Sequence, residues 1–322
     1  MNGPVEPPSD VPDEGAPAPF RSGFCCLVGR PNTGKSTLTN ALVGSKVAIA
    51  SSRPQTTRHT IRGIVHRTDG QLVVVDTPGL HRPRTLLGER LNALVRDTWS
   101  EVDVVAVCFA ADQRIGPGDA FLTREVARLP ARKPRFAVAT KADAVSRDRM
   151  AEHLVAIDRT GRDAGLEFDE IVPCSAVTGD GVELLASLMT ARLPEGPPLY
   201  PAGDLTDEPE QVLVAELVRE AALEGVREEL PHSIAVEITE MGPREGRPDN
   251  RRLVDIYATI YVERSSQKPI VVGRGGTRLR DVGSRARRSI EALLGERVYL
   301  NLHVKVLDEW QTNPKHLRRL GF

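Results

Sequence analysis

The stretch GRPNTGKST, Gly29 to Thr37, decides how the rest of the chain is read. It fits the spacing G-x-x-x-x-G-K-[ST]. It stands between an apolar strand-like run, Phe24–Val28, and a helical run, Ser36–Val43. Strand, glycine turn and helix in that order make a cradle for phosphate. Gly29 and Gly34 permit backbone turns that side chains would obstruct. The N–H groups from Asn32 through Thr33, Gly34 and Lys35 to Ser36 and Thr37 can then converge at a helix N-terminus as an anion nest. Lys35 reaches towards β- and γ-phosphates, and the Ser36 hydroxyl is a ligand for Mg²⁺. A glycine-rich turn matching by chance is the plain alternative, and the strand–loop–helix context speaks against it.

Three further stretches follow in an order that suits the first. DTPG (Asp76–Gly79) ends a core-like strand, where Asp76 can hold the Mg²⁺ shell through water and Gly79 can present its N–H to the γ-phosphate. PQTTRHT (Pro54–Thr60) is polar and lacks apolar periodicity. It reads as a loop that orders when a γ-phosphate is present. Thr57 is the candidate Mg²⁺ ligand there, with Thr56 as the near alternative. TKAD (Thr140–Asp143) follows the apolar run Phe136–Ala139. The Asp143 carboxylate can accept from guanine N1–H and the 2-amino group, donors that adenine lacks. Lys141 can lay its stem along the base while its ammonium ties back to the phosphate loop. Many guanine sites begin this motif with Asn; here it is Thr140. Its single hydroxyl replaces part of that role, at a loss of about 1 kcal/mol, one ordinary hydrogen bond. In CSAVTGDG (Cys174–Gly181) the Ala176 N–H can donate to guanine O6, with Ser175 bracing the turn.

Two residues bear on hydrolysis. Where many GTP-hydrolysing proteins place a Gln to orient water, after Asp-x-x-Gly, this chain has Leu80. Leu cannot orient water, so intrinsic hydrolysis is expected to be slow and open to acceleration by a partner. Asn32 reads either as a turn residue or as a ligand of a monovalent cation.

Outward from these motifs, strand-like and helical runs alternate from Phe24 to Arg192. They include a hairpin signal at Asp69-Gly70. Continuous apolar strands in β-α units predict a mainly parallel α/β sheet covered on both faces. PEGPPLYPAGDLTDEPE (Pro194–Glu210) then breaks the pattern as a linker long enough to let two units move. Beyond it the expected order is helix, strand, strand, helix, strand, a small α+β unit. The expected division is a tail over 1–20, a nucleotide domain over 21–196, a linker over 197–210 and the second domain over 211–322. The tail holds six prolines and four acidic residues with no Lys or Arg, so disorder is expected.

The second unit contains IVVGRGGTRLRDVGSRARRSIEALLG (Ile270–Gly295). Gly273-Arg274-Gly275-Gly276 fits a G-x-x-G loop that clamps single-stranded nucleic acid by its backbone. Six arginines between Arg274 and Arg288 face one acid, Asp281. Gly273, Arg274, Gly275, Gly276, Arg278 and Arg280 are the candidate RNA contacts. From Gln211 onward there are 19 Lys and Arg against 16 Asp and Glu, so the excess is local.

Composition fits this picture. The 322 residues are 40% hydrophobic but only 4% aromatic, so the core must be aliphatic. The formal net charge of −1 implies nothing about partners by itself. The four cysteines show no metal spacing and read as small buried hydrophobes. No run has the length of a membrane span and the N-terminus lacks a basic-then-apolar leader, so a cytoplasmic location is expected.

With both units in view the chain resembles the Era GTPases over nearly everything after residue 20. Besides GRPNTGKST, the signatures are PQTTRHTIRGI, DTPGLHRPR, EELPHSIAVEI, VVGRGGTRLRDVGSRARRSIE and VYLNLHVKV. The resemblance implies a P-loop GTPase domain joined to a type II KH domain. It implies binding to the 3′ region of small-subunit ribosomal RNA, a role in maturing the small ribosomal subunit, and hydrolysis used as a release timer. It also implies loose peripheral membrane association; a monomer is the default. Thr140 in place of Asn, and Arg274 where Lys is common, depart from the family pattern. Two other readings remain at this point: a non-hydrolysing RNA-binding scaffold that senses guanine nucleotide, and an ATP-using P-loop enzyme, against which Asp143 and the Ser175-Ala176 turn speak.

Overall fold

In a computed structural model the described residues are 19–49, 58, 60–80, 85–224, 233–246 and 252–322. The expected tail therefore lies almost wholly outside the described residues, as do Thr56, Thr57 and part of EELPHSIAVEI.

The first unit comprises β1 (Arg21–Val28), α1 (Lys35–Val43), β2 (Ile61–His66), β3 (Gly70–Asp76), α2 (Leu86–Glu101), β4 (Val104–Ala110) and α3 (Pro117–Ala127). It continues with β5 (Arg135–Thr140), α4 (Arg147–Asp163), β6 (Glu170–Pro173) and α5 (Val182–Thr190). The sheet order is β2-β3-β1-β4-β5-β6, parallel except for the antiparallel β2–β3 pair. That pair is the hairpin signalled by Asp69-Gly70, closed by Arg67 N–H donating to the Gly70 carbonyl at 2.9 Å.

Side-chain alternation explains how apolar strands fill two layers. Cys25, Leu27, Val104, Ala106, Phe136 and Val138 meet Leu38 and Leu42 of α1 and Leu185 and Met189 of α5. The intervening Cys26, Val28, Val105, Val107, Ala137 and Ala139 meet Val95 and Trp99 of α2, Leu122 and Val126 of α3, and Ile157 of α4. Strands buried on both faces have no polar side to show, hence the continuous apolar runs. All four cysteines are free and buried; burial pushes the Cys108 and Cys174 thiols up to about 12.

The second unit comprises α6 (Glu210–Leu223), β7 (Ala235–Pro243), β8 (Leu253–Val262), α7 (Lys268–Val272), α8 (Thr277–Leu294) and β9 (Arg297–Val306). Its sheet, β7-β8-β9, has an antiparallel and a parallel pair. Val214, Val218 and Ala222 of α6 and Val282, Ala286 and Ile290 of α8 pack on Ile256, Ile260 and Val304. The short helix α7 leads into Gly273; Pro269 near its start obscures so brief an element in the sequence.

One finding bears on an expectation. The segment expected to be a linker long enough to let two units move is strapped along the first sheet. The Gln71 amide of β3 donates to the Tyr200 carbonyl (2.9 Å) and accepts from Leu199 and Tyr200 N–H (2.7 and 2.9 Å). Ile64 N–H donates to the Leu205 carbonyl at 2.9 Å, and Arg62 pairs with Asp207 at 2.9 Å. The end of the chain is packed as well. Trp310 and Leu317 are fully buried with Leu87 and Leu91 of α2, and α9 (Pro314–Arg319) lies over Tyr261 of β8.

Candidate nucleotide and nucleic-acid sites

The loops that carry GRPNTGKST, DTPG, TKAD and CSAVTGDG all leave the C-terminal ends of β1, β3, β5 and β6. The chain passes from β1 to β3 on one side and to β4 on the other, and such a switch point leaves a crevice at that edge of the sheet.

The phosphate loop is tightly made. A Cβ at Gly29 would stand 2.6 Å from Thr33 Oγ1 and 2.8 Å from the Cys108 carbonyl oxygen, so the loop closes on β4 only with glycine there. Asn32 (φ 64°) and Gly34 (φ 86°) are left-handed, turning the backbone into α1. Thr33 is buried and its hydroxyl donates to the Arg30 carbonyl at 2.9 Å. Lys35 Nζ donates to the Gly29 and Arg30 carbonyls at 3.0 and 2.9 Å. Burial lowers the Lys35 pKa, and buried Asp76 acts against that shift. Lys35 and Asp76 therefore share one pocket. Ser36 is half-buried, while Asn32 and Thr37 are exposed at the rim. A Cβ on Gly79 would lie 3.3 Å from Pro31 N, which sets the DTPG turn against the phosphate loop. Leu80 is buried among Val28, Val75, Val95 and Trp99 and takes no part in any polar group. This cluster of acid, base and backbone fits a Mg²⁺–nucleotide; among the described residues no His, Cys, Asp and Glu cluster forms an all-protein metal cage.

At the candidate base site Thr140 is buried, and its hydroxyl donates to the Thr33 carbonyl at 2.6 Å and the Phe109 carbonyl at 3.3 Å. It thus braces the phosphate loop from β5, which is the part of the role of Asn that it keeps. Lys141 is left-handed (φ 58°), and its ammonium pairs with Asp112 at 2.9 Å instead of tying back to the phosphate loop as expected. Asp112 follows β4 and is close in space but remote in sequence. Asp143 Oδ1 accepts from Ser175 Oγ at 2.6 Å, and Ser175 Oγ accepts in turn from Thr178 N–H at 3.1 Å. Ser175 is fully buried, so it fixes both the carboxylate and the turn that carries half-buried Ala176. Since Thr140 already braces the loop, Thr140→Asn is expected to raise GDP affinity by no more than about fivefold, the worth of one hydrogen bond. Calorimetric titration with GDP checks this; a rise beyond fiftyfold would mean that Thr140 leaves the base site open.

In the second unit Gly273 (φ 73°) ends α7, and a Cβ there would meet Arg278 Cβ at 2.7 Å. Gly275 and Gly276 are also left-handed, and a Cβ on either would meet open space. Gly275, Gly276, Leu279, Arg280, Gly283 and Arg287 form one wall of a groove whose other wall is Val298 to Leu302 of β9. Arg274 and Arg280 are exposed beside the loop. Arg278 is not available in the same way: its guanidinium donates to the Ala222 and Glu224 carbonyls (3.2 and 2.8 Å) and closes the end of α6. Arg285 likewise pairs with Glu224 and Asp281. Arg287 joins the groove as well; its place seven residues after Arg280, two helical turns along one face, is the signal that finds it.

Comparison with known proteins follows the two units. A model described as a 50S ribosome-binding GTPase matches residues 24–141, and a KH domain model matches residues 229–311. GTPase Era of Streptomyces coelicolor is 62% identical over 310 residues, covering 96% of this chain and 98% of that one. GTPase Era of a Nocardioides species is 64% identical over 302 residues, covering 94% and 96%. Era in complex with MgGDPNP and nucleotides 1506–1542 of 16S ribosomal RNA superposes with a TM-score of 0.87 at 35% identity, covering 94% of this chain and 99% of that one. A variant of Aquifex aeolicus Era bound to GDP·AlF4⁻ gives 0.86 at 35%, with the same coverage. Both units, in this order and over nearly their whole length, have their counterpart in those proteins, and the chain belongs to the GTPase Era family.

Proposed function

We propose that this GTPase holds GTP and GDP at the C-terminal edge of the first sheet and binds the 3′ region of small-subunit ribosomal RNA through the groove beside Gly273–Gly276, assisting maturation of the small ribosomal subunit. The observation that carries the nucleotide half is the convergence of Lys35, Asp76, Gly79 and the Ser175-braced Asp143 at one edge. The groove between α8 and β9 carries the RNA half, together with the ribosomal RNA held by a solved relative.

In this reading Asn32 to Thr37 wrap the phosphates, and Thr140, Lys141, Asp143, Ser175 and Ala176 take the base. Ser36, Thr57 and Asp76 hold Mg²⁺, which draws charge from the phosphate oxygens when bound. Lys35 adds positive charge at the γ-phosphate, and Gly79 gives it a backbone donor. Leu80, buried in the core, leaves the attacking water without a side-chain partner, so turnover is slow until a further cation or partner contributes. Asn32, at the rim, is the site for K⁺. On RNA, Gly273, Gly275 and Gly276 allow close backbone approach, and Arg274 and Arg280 meet phosphates. The chain acts as a cytoplasmic monomer, with any membrane contact peripheral; among the described residues no helix is long and apolar enough to cross a membrane.

The test measures GTP turnover, and binding of an RNA spanning nucleotides 1506–1542 of 16S ribosomal RNA, in the unsubstituted chain and in a Gly275→Asp, Gly276→Asp variant. Two carboxylates facing the phosphates should weaken RNA binding by at least about tenfold through like-charge repulsion, while GDP affinity is kept. RNA affinity unchanged by the double substitution would remove the groove from the proposal. Absence of turnover would remove hydrolysis.

A further inference from the structure

Residues 111–119, ADQRIGPGD, join β4 to the first turn of α3 and touch both halves of the candidate nucleotide site. At one end they meet TKAD. Ala111 N–H donates to the Thr140 carbonyl at 2.9 Å, and the Asp112 carboxylate pairs with the Lys141 ammonium at 2.9 Å. The tip of the side chain whose stem would cover the base is thereby held from outside the crevice.

At the other end they meet the phosphate loop. Arg30 Nε donates to Asp119 Oδ1 at 2.7 Å, and Arg30 Nη2 donates to Gln113 Oε1 at 3.2 Å. A Cβ on Gly118 would stand 2.7 Å from Arg30 Cδ, so the arginine stem lies flat on the start of α3 because position 118 has no side chain. Asp119 is 3% exposed, and its Oδ2 accepts from Gly116 N–H at 2.8 Å. A buried carboxylate with both oxygens engaged is a fixed point, and a guanidinium held at Nε and Nη2 together has its orientation set.

This arrangement fixes a backbone. The Arg30 carbonyl accepts from Lys35 Nζ and from the Thr33 hydroxyl, each at 2.9 Å. The Thr33 carbonyl accepts in turn from the Thr140 hydroxyl at 2.6 Å. A closed circuit results. It runs from Arg30 to Asp119 and Gln113, from the neighbouring Asp112 to Lys141, and from Thr140 through Thr33 back to Arg30.

We propose that Asp119 and Asp112 are positioning residues for the nucleotide. Residues 111–119 form a clasp that holds the phosphate loop by Arg30 and the base motif by Lys141, and so sets the span between phosphate and base contacts. This rests on the guanine-nucleotide reading above. Asp119 acts through the Arg30 carbonyl on which Lys35 rests, and Asp112 acts through the stem of Lys141. The Asp119 end is the stronger, because its carboxylate is shielded from water. Asp112 and Lys141 are 36% and 33% exposed, and solvent weakens their attraction.

The test uses the full chain and separates this role from the capping of α3. Asp119→Asn keeps an oxygen for Gly116 N–H but turns an amide donor towards Arg30. The rate constant of single-turnover hydrolysis at saturating GTP should fall about tenfold, since a small misplacement of a reacting group costs one to two decades. The rate constant is read, not the amplitude, so an unfolded fraction does not enter. Loss of a helix cap alone would lower the melting temperature and leave that constant where it was. Arg30→Gln should match Asp119→Asn, and the double variant should lie within about twofold of either, because both break one link. Asp112→Asn should speed GDP dissociation by about two- to fivefold, the worth of a partly exposed pair. Combined with Asp119→Asn, its effect on GDP dissociation should fall short of the product of the two single effects, as one clasp requires. A rate constant for Asp119→Asn within twofold of the unsubstituted chain, or effects of Asp112→Asn and Asp119→Asn that simply multiply, overturns the proposal. Failure of the unsubstituted chain to bind GDP or to hydrolyse GTP would instead overturn the function on which it rests.

Discussion

Lys35→Ala is expected to lower kcat for GTP by about 10²–10³-fold, the usual result of removing one preorganised charge from a transition state. The ammonium is already placed: it is folded onto the Gly29 and Arg30 carbonyls, in the pocket that holds Asp76. Burial makes the charge dear to hold and strong in effect, because little water competes with its field. Phosphoryl transfer gives the protein little covalent work, so a charge at the γ-phosphate counts for much of the rate. Single-turnover hydrolysis at saturating GTP reads the effect. Thermal melting of the same variant shows whether the sheet core remains, since none of its apolar layers includes Lys35. A rate within tenfold of the unsubstituted chain, in a folded variant, would show that the charge acts from some other residue.

The parts of the site that could be read from sequence are those made by local geometry. The phosphate loop is one continuous segment whose glycines and lysine are fixed by spacing. The apolar runs of β1, β4 and β5 could be read as doubly covered strands because burial on both faces leaves no polar position, and the two apolar layers show that alternation. What could not be read depends on partners distant in the chain. Gln71 is an unremarked polar residue in an apolar strand, yet its amide fastens Leu199 and Tyr200. QTNPKHLRRLGF shows only Leu317, Leu320 and Phe322 scattered among polar and basic residues. Leu317 and Leu320 are covered by Leu87 and Leu91, more than two hundred positions away. Charge counting failed in the same way for Arg278: six arginines in a row of fifteen positions do not reveal that one of them caps α6.

Thr140 shows the boundary between the two kinds of information. Its departure from Asn was visible, and so was the size of the loss. Which part of the role of Asn it keeps was not, because the Thr33 carbonyl comes to it from a loop 107 positions away. With the loop braced by Thr140 and the carboxylate braced by Ser175, the proposed reading puts the choice of base on Asp143.

Asp143→Asn should therefore lower GDP affinity by about a hundredfold. Asp143 can accept two hydrogen bonds from guanine, and a bond to a charged group is worth about 1.5–3 kcal/mol. Losing one acceptor and the charge together removes roughly 3 kcal/mol, which at 1.4 kcal/mol per factor of ten is near two decades. Affinity for ADP should stay where it is, since adenine presents no donor to the carboxylate. Xanthine nucleotides should gain, because their 2-carbonyl can accept from the new amide where it would have repelled the acid. The substitution keeps a partner for Ser175: the amide oxygen accepts from Ser175 Oγ as the carboxylate does at 2.6 Å, so the fold of the turn is retained. Competition among GDP, ADP and xanthosine diphosphate on the purified variant reads all three effects at once. A GDP affinity unchanged by Asp143→Asn, with ADP still excluded, would mean that the Ala176 N–H and the shape of the crevice select guanine without the carboxylate. Equal binding of ADP and GDP to the unsubstituted chain would mean that nothing in Thr140–Asp143 discriminates between the bases.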